Sequence, residues 1–155
     1  MISYRKFENK DLDQLLSVYL QGFSALYGDT TQQYAEEFLE LYESALIEGV
    51  EGEMFIAEKD NNIIGFAVIH QESTTEFKFG PIVVVPIFQR RGIGSKLLQL
   101  CINFARSNRV KQFYLKVNDN NQAAVAFYKK FGFSIIEAFP SDVEGHNFLK
   151  MVYTL

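Results

Sequence analysis

The sequence predicts a single domain of the mixed α/β class, with helices packed on the faces of a mixed β-sheet. Its 155 residues fit one domain, and no linker, repeat or low-complexity tract divides them. Segments with the apolar pattern of strands are interleaved with segments of helical spacing. Hydrophobic residues make up 48% of the chain, including 15 Phe and 8 Tyr, which excludes a disordered protein.

The first half of the chain predicts one strand, two helices and three further strands. The turn signal Asp60-Asn61-Asn62 joins two of these strands in a hairpin, and Gly49 ends the second helix. The last strand ends in the continuously apolar run 82–85, which is typical of a strand buried on both faces. The predicted elements are strand 2–6, helices 11–20 and 31–48, and strands 54–59, 63–70 and 76–85.

The second half predicts two helices among three strands. A helix begins within the glycine-rich stretch 92–95, and its apolar residues from Ile93 to Ala105 share one face. Asn121 is a good N-cap and Gly132 a good stop for a helix over 122–131. Strands over 113–117, 134–139 and 148–154 complete the order β-α-α-β-β-β-α-β-α-β-β.

Composition and charge exclude several classes of protein. The lone Cys101 excludes an internal disulfide and favours a reducing compartment, and the N-terminus lacks an apolar signal core, so we expect a cytoplasmic location. The longest apolar stretch, 82–88, is far shorter than the ~20 residues of a membrane span. Two His and one Cys are too few for a His/Cys metal site, so no metal is expected. A net charge of −4 argues against a nucleic-acid partner.

The charge is unevenly distributed along the chain. Residues 1–53 carry 3 Lys/Arg and 11 Asp/Glu, whereas residues 54–155 carry 12 and 8. This asymmetry indicates that the two parts meet ligands of opposite sign, although a solvated acidic helix face would give the same pattern.

The segment 83–95 predicts a phosphate-binding loop. A buried strand ends there and a helix begins in a glycine-rich stretch, where free backbone N–H groups and the helix dipole favour an anion. Gly92 and Gly94 lack a Cβ and so allow a phosphate to come close to the backbone, and Arg90 and Arg91 add positive charge. The segment matches neither a P-loop nor a dinucleotide fingerprint, and a simple tight turn is the alternative.

A second segment, 121–133, places Tyr128 two helical turns beyond Asn121, so the two share one helix face. A tyrosine held there can donate a proton to a leaving group. The alternative is a core tyrosine on an amphipathic helix.

Together the two segments resemble the GNAT superfamily of acyl-CoA-dependent N-acetyltransferases. The matches are Gln-x-x-Gly-x-Gly at Gln89 to Gly94, Asn-x-Ala-Ala-x-x-x-Tyr at Asn121 to Tyr128, and Gly132-Phe133. The resemblance covers residues 54–155 strongly and residues 1–53 in layout only. It implies a mostly antiparallel sheet of six to seven strands, flanked by four helices, with a splayed pair of parallel strands.

The resemblance also implies a cofactor, acetyl-CoA, and the residues that bind it. Backbone groups of Ile82, Val83 and Val84 would pair with the pantetheine arm, and Asn121 would bind the same arm. Tyr128 would protonate the departing thiolate. The pyrophosphate would lie on the loop that comprises Gln89, Arg90, Arg91, Gly92, Ile93, Gly94 and Ser95.

The general base is not identified by the resemblance. The two positions where relatives carry a glutamate are Lys116 and Lys78 in this chain. Glu76 lies two residues before Lys78, hence on the same strand face, and is the best candidate. A water relay is the alternative, and the weaker candidates are Glu72, His70 and His146.

Two functions follow from the resemblance. The first is an enzyme that transfers an acetyl group from acetyl-CoA to a primary amine by direct attack. The second is a non-catalytic acyl-CoA-binding sensor or interaction domain. For the enzyme, the acceptor is a small-molecule or peptide amine, which the acidic first third predicts to be cationic, and a homodimer is one open oligomeric state.

Overall fold

In the computed structural model, which describes residues 1–155, seven strands and four α-helices follow one another in the predicted order. The strands are β1 (Ser3–Lys6), β2 (Gly52–Lys59), β3 (Asn62–Gln71), β4 (Phe77–Val84), β5 (Gln112–Asn118), β6 (Ser134–Pro140) and β7 (Asn147–Thr154). The helices are α1 (Leu12–Tyr27), α2 (Thr31–Glu48), α3 (Ile93–Ser107) and α4 (Gln122–Phe131).

One seven-stranded sheet, in the order β1-β2-β3-β4-β5-β7-β6, runs through the molecule. All neighbouring strands are antiparallel except β4 and β5, which are parallel and pair only at Phe77–Phe113 and Lys78–Tyr114. Beyond these two pairs β4 and β5 diverge, and we call the gap between them the splay. The predicted mostly antiparallel sheet with one splayed parallel pair is therefore confirmed.

Helices cover both faces of the sheet at β2–β4 but only one face at β5–β7. Helices α1 and α2 lie on one face, where Phe38 stacks on Phe66 of β3 at 5.6 Å. Helix α3 lies on the other face against β2, β3 and β4. Helix α4 leads into Phe133, which packs on Phe113 of β5 and on Tyr153 of β7. The face of β5, β7 and β6 opposite α4 carries no helix, and we call it the open face.

Helix α1 is longer than predicted, because the sequence pattern over 11–20 stops short of Gly22. In the structure this glycine lies in mid-helix, and a Cβ on it would be 2.3 Å from Cγ1 of Val83. The helix backbone thus packs directly on β4, and this contact offsets the low helix propensity of glycine. The hairpin and the helix stop are as predicted, with positive φ at Asp60, Asn61 and Gly49.

The prediction that β4 is buried on both faces is wrong at its carboxyl end. Val83 is buried, but Ile82 and Val84 are only half-buried. Their apolar run reflects a strand that borders the splay rather than one covered on both sides. The side chain of Ile82 lies near the first turn of α3 and near Phe127 of α4, at the edge of the gap.

Candidate active site

A nest of backbone amides forms between β4 and α3. Arg90 and Gly92 both adopt left-handed backbone conformations, with φ of 64° and 82°. The successive N–H groups from Arg90 to Ser95 find no hydrogen-bond acceptor within the protein. Six free donors at the N-terminus of a helix make an anion-binding site, because the amides and the helix dipole act together. We call residues 90–95 the amide nest.

Two side chains next to the amide nest contact the protein itself and hold the loop in place. The Gln89 side chain donates from Nε2 to the carbonyl oxygen of Val84 at 2.9 Å, so this residue fastens the loop to the end of β4. The guanidinium of Arg91 stacks over the Phe88 ring at 5.2 Å. Gln89 was predicted to contact the cofactor, whereas its side chain positions the loop.

The structure leaves room for an extended ligand arm next to the amide nest. A Cβ on Gly94 would meet only Ile82 Cδ1 and Phe127 Cζ, each at 3.9 Å, which is ordinary contact distance. A cavity of about 400 Å³ beside it is lined by Ser95, Phe127, Lys130 and Phe131. The position of Gly94 thus faces space between β4 and α4, and a pyrophosphate carrying a long arm fits this arrangement.

The edge of β4 that faces β5 has no strand partner after Lys78, whereas the other edge pairs with β3 as far as Val84. Successive residues of a strand direct their backbone groups to opposite edges. The Val83 carbonyl oxygen points toward β3, where it lies 2.7 Å from the position of a Cβ on Gly65. The Val83 carbonyl oxygen thus lies on the β3 side of the strand, and the contact of the Val83 backbone with the cofactor stays a prediction. Ile82 and Val84 direct their backbone groups toward the splay, although the Val84 carbonyl oxygen already accepts a hydrogen bond from the Gln89 side chain.

Tyr128 projects from α4 into an aromatic cluster and is 7% exposed. Its ring lies 5.4 Å from Phe127, 5.5 Å from Phe133 and 6.3 Å from Phe79 of β4. The hydroxyl has no hydrogen-bond partner in the protein. Burial raises the pKa of Tyr128, with a smaller contribution from Tyr27, so the group holds its proton and can act as a donor.

Two asparagines lie where β5 leads into α4. Asn121 caps α4, since its Oδ1 accepts a hydrogen bond from the Ala124 amide at 3.3 Å. Its Nδ2 makes no hydrogen bond within the protein and is free to bind a ligand. Asn120 has a buried Oδ1 without a donor. The motif spacing did not single out Asn120, and only the tertiary structure reveals its unpaired acceptor.

The predicted base Glu76 lies just before β4 and belongs to the open face. Its Oε2 accepts a hydrogen bond from Nζ of Lys150 on β7 at 3.2 Å. His70 and Glu72 form a pair of their own, with Nε2 and Oε2 separated by 2.7 Å. His146 pairs with Asp119 in the loops beyond β5 and before β7. The structure therefore groups Glu76, His70 and Glu72 near the start of β4, on either side of the β3–β4 turn.

A tyrosine cluster on α1 and α2 was missed by the sequence argument. The Tyr27 and Tyr34 rings lie 5.1 Å apart, and burial raises the pKa of Tyr27 and of Tyr19. Tyr27 lies beyond the helix predicted over 11–20, so the helical pattern did not place it.

No group of three or more His, Cys, Asp or Glu side chains is placed to hold a metal ion. None of the helices has the length and hydropathy needed to cross a membrane. Cys101 is fully buried, and burial raises the pKa of its thiol, so the thiolate that reacts is disfavoured.

The fold and the amide nest define an α/β protein with an anion-binding site at the carboxyl end of a central strand. A family model described as "Acetyltransferase (GNAT) family" matches residues 12–133. The chain therefore belongs to the GNAT family of acetyltransferases, and the resemblance stated from its motifs is confirmed.

Individual relatives are similar over part of the chain. N-alpha-acetyltransferase RimI of Mycobacterium tuberculosis is 38% identical over 80 residues, which are 50% of this chain and 49% of that protein. The [ribosomal protein bS18]-alanine N-acetyltransferase of Salmonella typhimurium is 35% identical over 89 residues, or 56% of this chain and 60% of that protein. The two matches thus span 49% and 60% of the relatives' own lengths.

A solved structure shows the same fold over the whole chain. PaiA N-acetyltransferase from Thermoplasma acidophilum, in complex with coenzyme A, has a TM-score of 0.78 and 20% sequence identity. The alignment covers 100% of this chain and 99% of that one.

Proposed function

We propose that the protein is an N-acetyltransferase that moves an acetyl group from acetyl-CoA to a primary amine by direct attack. The observation that carries this proposal is the amide nest at one end of the splay, together with the buried Tyr128 hydroxyl, whose pKa burial raises and which makes no hydrogen bond within the protein. A domain that only binds acyl-CoA has no need of a free proton donor there, although it would use the same nest.

The chain's residues would bind the cofactor along the splay. The amides of the nest and Arg90 would hold the pyrophosphate, and the open edge of β4 at Ile82, with Nδ2 of Asn121, would hold the pantetheine arm. Bound acetyl-CoA supplies a thioester carbonyl carbon, with which the amine nitrogen forms a C–N bond as the C–S bond breaks. This arrangement uses proximity, since both substrates meet in one gap.

Three proton transfers accompany this reaction, because the attacking nitrogen loses two protons and the departing sulfur gains one. The ammonium would lose the first before attack and the nitrogen would lose the second as the amide forms, and Glu76 or water held by the open face would pass both to the solvent. Tyr128 would donate a proton to the departing thiolate and would then be reprotonated from the solvent. A thiol is a fair leaving group with a pKa near ~8.5, so the tyrosine assists a step that is already feasible.

The acceptor is proposed to be a small-molecule or peptide amine that arrives as a cation. Four glutamates of α2 support this, because they are exposed and take part in no ion pair: Glu36, Glu37, Glu40 and Glu43. One relative is named as an N-alpha-acetyltransferase and another as an acetyltransferase of a ribosomal-protein alanine. These names support a peptide N-terminus as one member of this class of acceptors.

The test is release of free thiol from acetyl-CoA in the presence of a panel of amines that contains small amines, amino acids and short peptides. Amine-dependent release with formation of the N-acetyl product supports the enzyme. Tight binding of acetyl-CoA without release from any amine would instead support the sensor. Absence of binding would contradict both functions and the role of the amide nest.

A further inference from the structure

Two lysines without ion-pair partners lie where the splay begins. Lys78 is the last residue of β4 that pairs with β5, opposite Tyr114. Lys116 lies two residues after Tyr114 on the same face of β5, so both ammonium groups belong to the open face. Neither lysine takes part in a salt bridge or a side-chain hydrogen bond within the protein.

The carboxylates near this pair of lysines are engaged elsewhere or lie at the edge of the sheet, although Glu72 still acts on Lys78 from a distance. Glu76 is bound by Lys150, and Glu72 is bound by His70. Glu137, on the edge strand β6, is exposed and in no ion pair. Lys116 instead contacts an aromatic ring, with its Nζ 5.1 Å from the centre of Phe139.

Lys78 is half-buried, and an ammonium removed from water without a partner is costly. Burial is the main cause that lowers the pKa of Lys78; attraction by Glu72 opposes this shift, and repulsion by Lys116 adds to it more weakly. An anionic group bound between the two lysines would relieve both the desolvation and the repulsion.

The cofactor's phosphates do not fit this position. Val84 lies six positions after Lys78 along the strand, which is roughly 20 Å at the usual rise per residue. The amide nest lies beyond Val84, at the other end of the splay. An anion at Lys78 must therefore come from the acceptor side, across the open face.

We infer that the acceptor is an amine that also carries a carboxylate, and that Lys78 and Lys116 bind this carboxylate at the narrow end of the splay. The inference rests on the proposed function, since it names the acceptor class of the same site. It is compatible with the acidic α2, because such an acceptor presents its ammonium to one side and its carboxylate to the other.

The experiment compares matched pairs of acceptors in the thiol-release assay. Each ω-amino acid, such as β-alanine or γ-aminobutyrate, is paired with its carboxamide, and Ala-Glu amide is paired with Ala-Gln amide. We expect the carboxylate member of the best pair to have a kcat/KM about tenfold higher or more, as hydrogen bonds to charged groups give.

Substitutions of the two lysines test whether they cause the preference for the carboxylate acceptor. Lys78→Met removes the charge at similar length and should abolish the carboxylate preference, and Lys116→Met should reduce it. Lys78→Glu should reverse it in favour of diamines of matched length. Lys111→Met, at an exposed lysine just before β5, is the control and should leave the preference intact. Equal rates within every pair, or a preference unchanged in Lys78→Met, would overturn the inference while leaving the proposed function standing.

A binding measurement covers the case in which no amine is turned over. Glutarate is titrated into the protein in the presence of CoA, and the backbone amide signal of Tyr114 is followed by NMR. A saturable shift that is lost in Lys78→Met supports the carboxylate site. No shift, or the same shift in the variant, contradicts it whatever the enzyme assay gives.

Discussion

The two halves of the sheet are covered differently. Strands β2, β3 and β4 lie between α1 and α2 on one side and α3 on the other, and residues such as Phe66 and Ile56 are fully buried. Strands β5, β7 and β6 have α4 on one side only, and Ile136 of β6 is 59% exposed. The covered half holds the fold together and presents the amide nest. The open half leaves a face of the sheet free beside the splay, and on this side the proposed acceptor would approach the thioester.

The largest expected effect is a difference in stability between substitutions in the covered half and in the open half. Phe66→Ala removes a fully buried ring that stacks on Phe38, so we expect a loss of about 3–5 kcal/mol in the free energy of unfolding. Ile136→Ala, on the open half, should change it by less than about 0.5 kcal/mol. Urea denaturation measures both. Similar losses at the two sites would mean that the open half is covered in solution.

A second test acts where the halves meet. Tyr128→Phe keeps the ring packing and removes the proton donor, so turnover should fall by about 10²-fold, with little change in acetyl-CoA affinity. Single-turnover kinetics and equilibrium binding check the two parts. Unchanged chemistry in the variant would remove Tyr128 from the mechanism.

The raised pKa of Tyr128 gives this test a pH signature. The hydroxyl stays protonated above the pH at which an ordinary tyrosine loses its proton. Wild-type turnover should therefore show no fall on the alkaline side below about pH 10 from loss of this proton. A fall centred near neutral pH that is absent in Tyr128→Phe would contradict the assignment.

A third prediction concerns the amide nest of the covered half. Gly94→Val places a branched side chain in the space between β4 and α4, and should weaken acetyl-CoA binding by about tenfold through lost phosphate contacts. Gly94→Ala is the graded control, because its Cβ meets protein atoms only at 3.9 Å and should allow normal folding. Calorimetry gives the affinities and thermal unfolding confirms the fold. Wild-type affinity in a folded Gly94→Val protein would place the pyrophosphate elsewhere.

The smallest effect tests the acidic surface of α2. Raising the salt concentration screens exposed charges over about 8 Å at physiological strength, so the Michaelis constant for the amine should rise a few-fold. Glu36→Gln together with Glu40→Gln should have the same effect on the amine and leave the constant for acetyl-CoA alone. A Michaelis constant for the amine that is unaffected by both the salt and the substitutions would identify these glutamates as a solvated outer face.

The sequence determined the order of elements and the position of the amide nest, because these depend on local signals. Apolar periodicity marked the strands and helices, Asp60-Asn61 marked the hairpin, and the strand–glycine–helix succession marked the nest. Tyr128 was found by its helical spacing from Asn121. Each of these signals lies within some fifteen residues of chain, where backbone geometry and side-chain direction are set.

Only the tertiary structure decided which groups meet across strands. Periodicity does not give the register between segments that are distant in sequence, and a shift by one residue turns every side chain to the other face. The pairing of Glu76 with Lys150, the direction of the Val83 carbonyl and the place of Gln89 in fastening the loop all depend on that register or on loop geometry. The same holds for Lys78 and Lys116, which become neighbours because β4 and β5 pair for only two residues before they part.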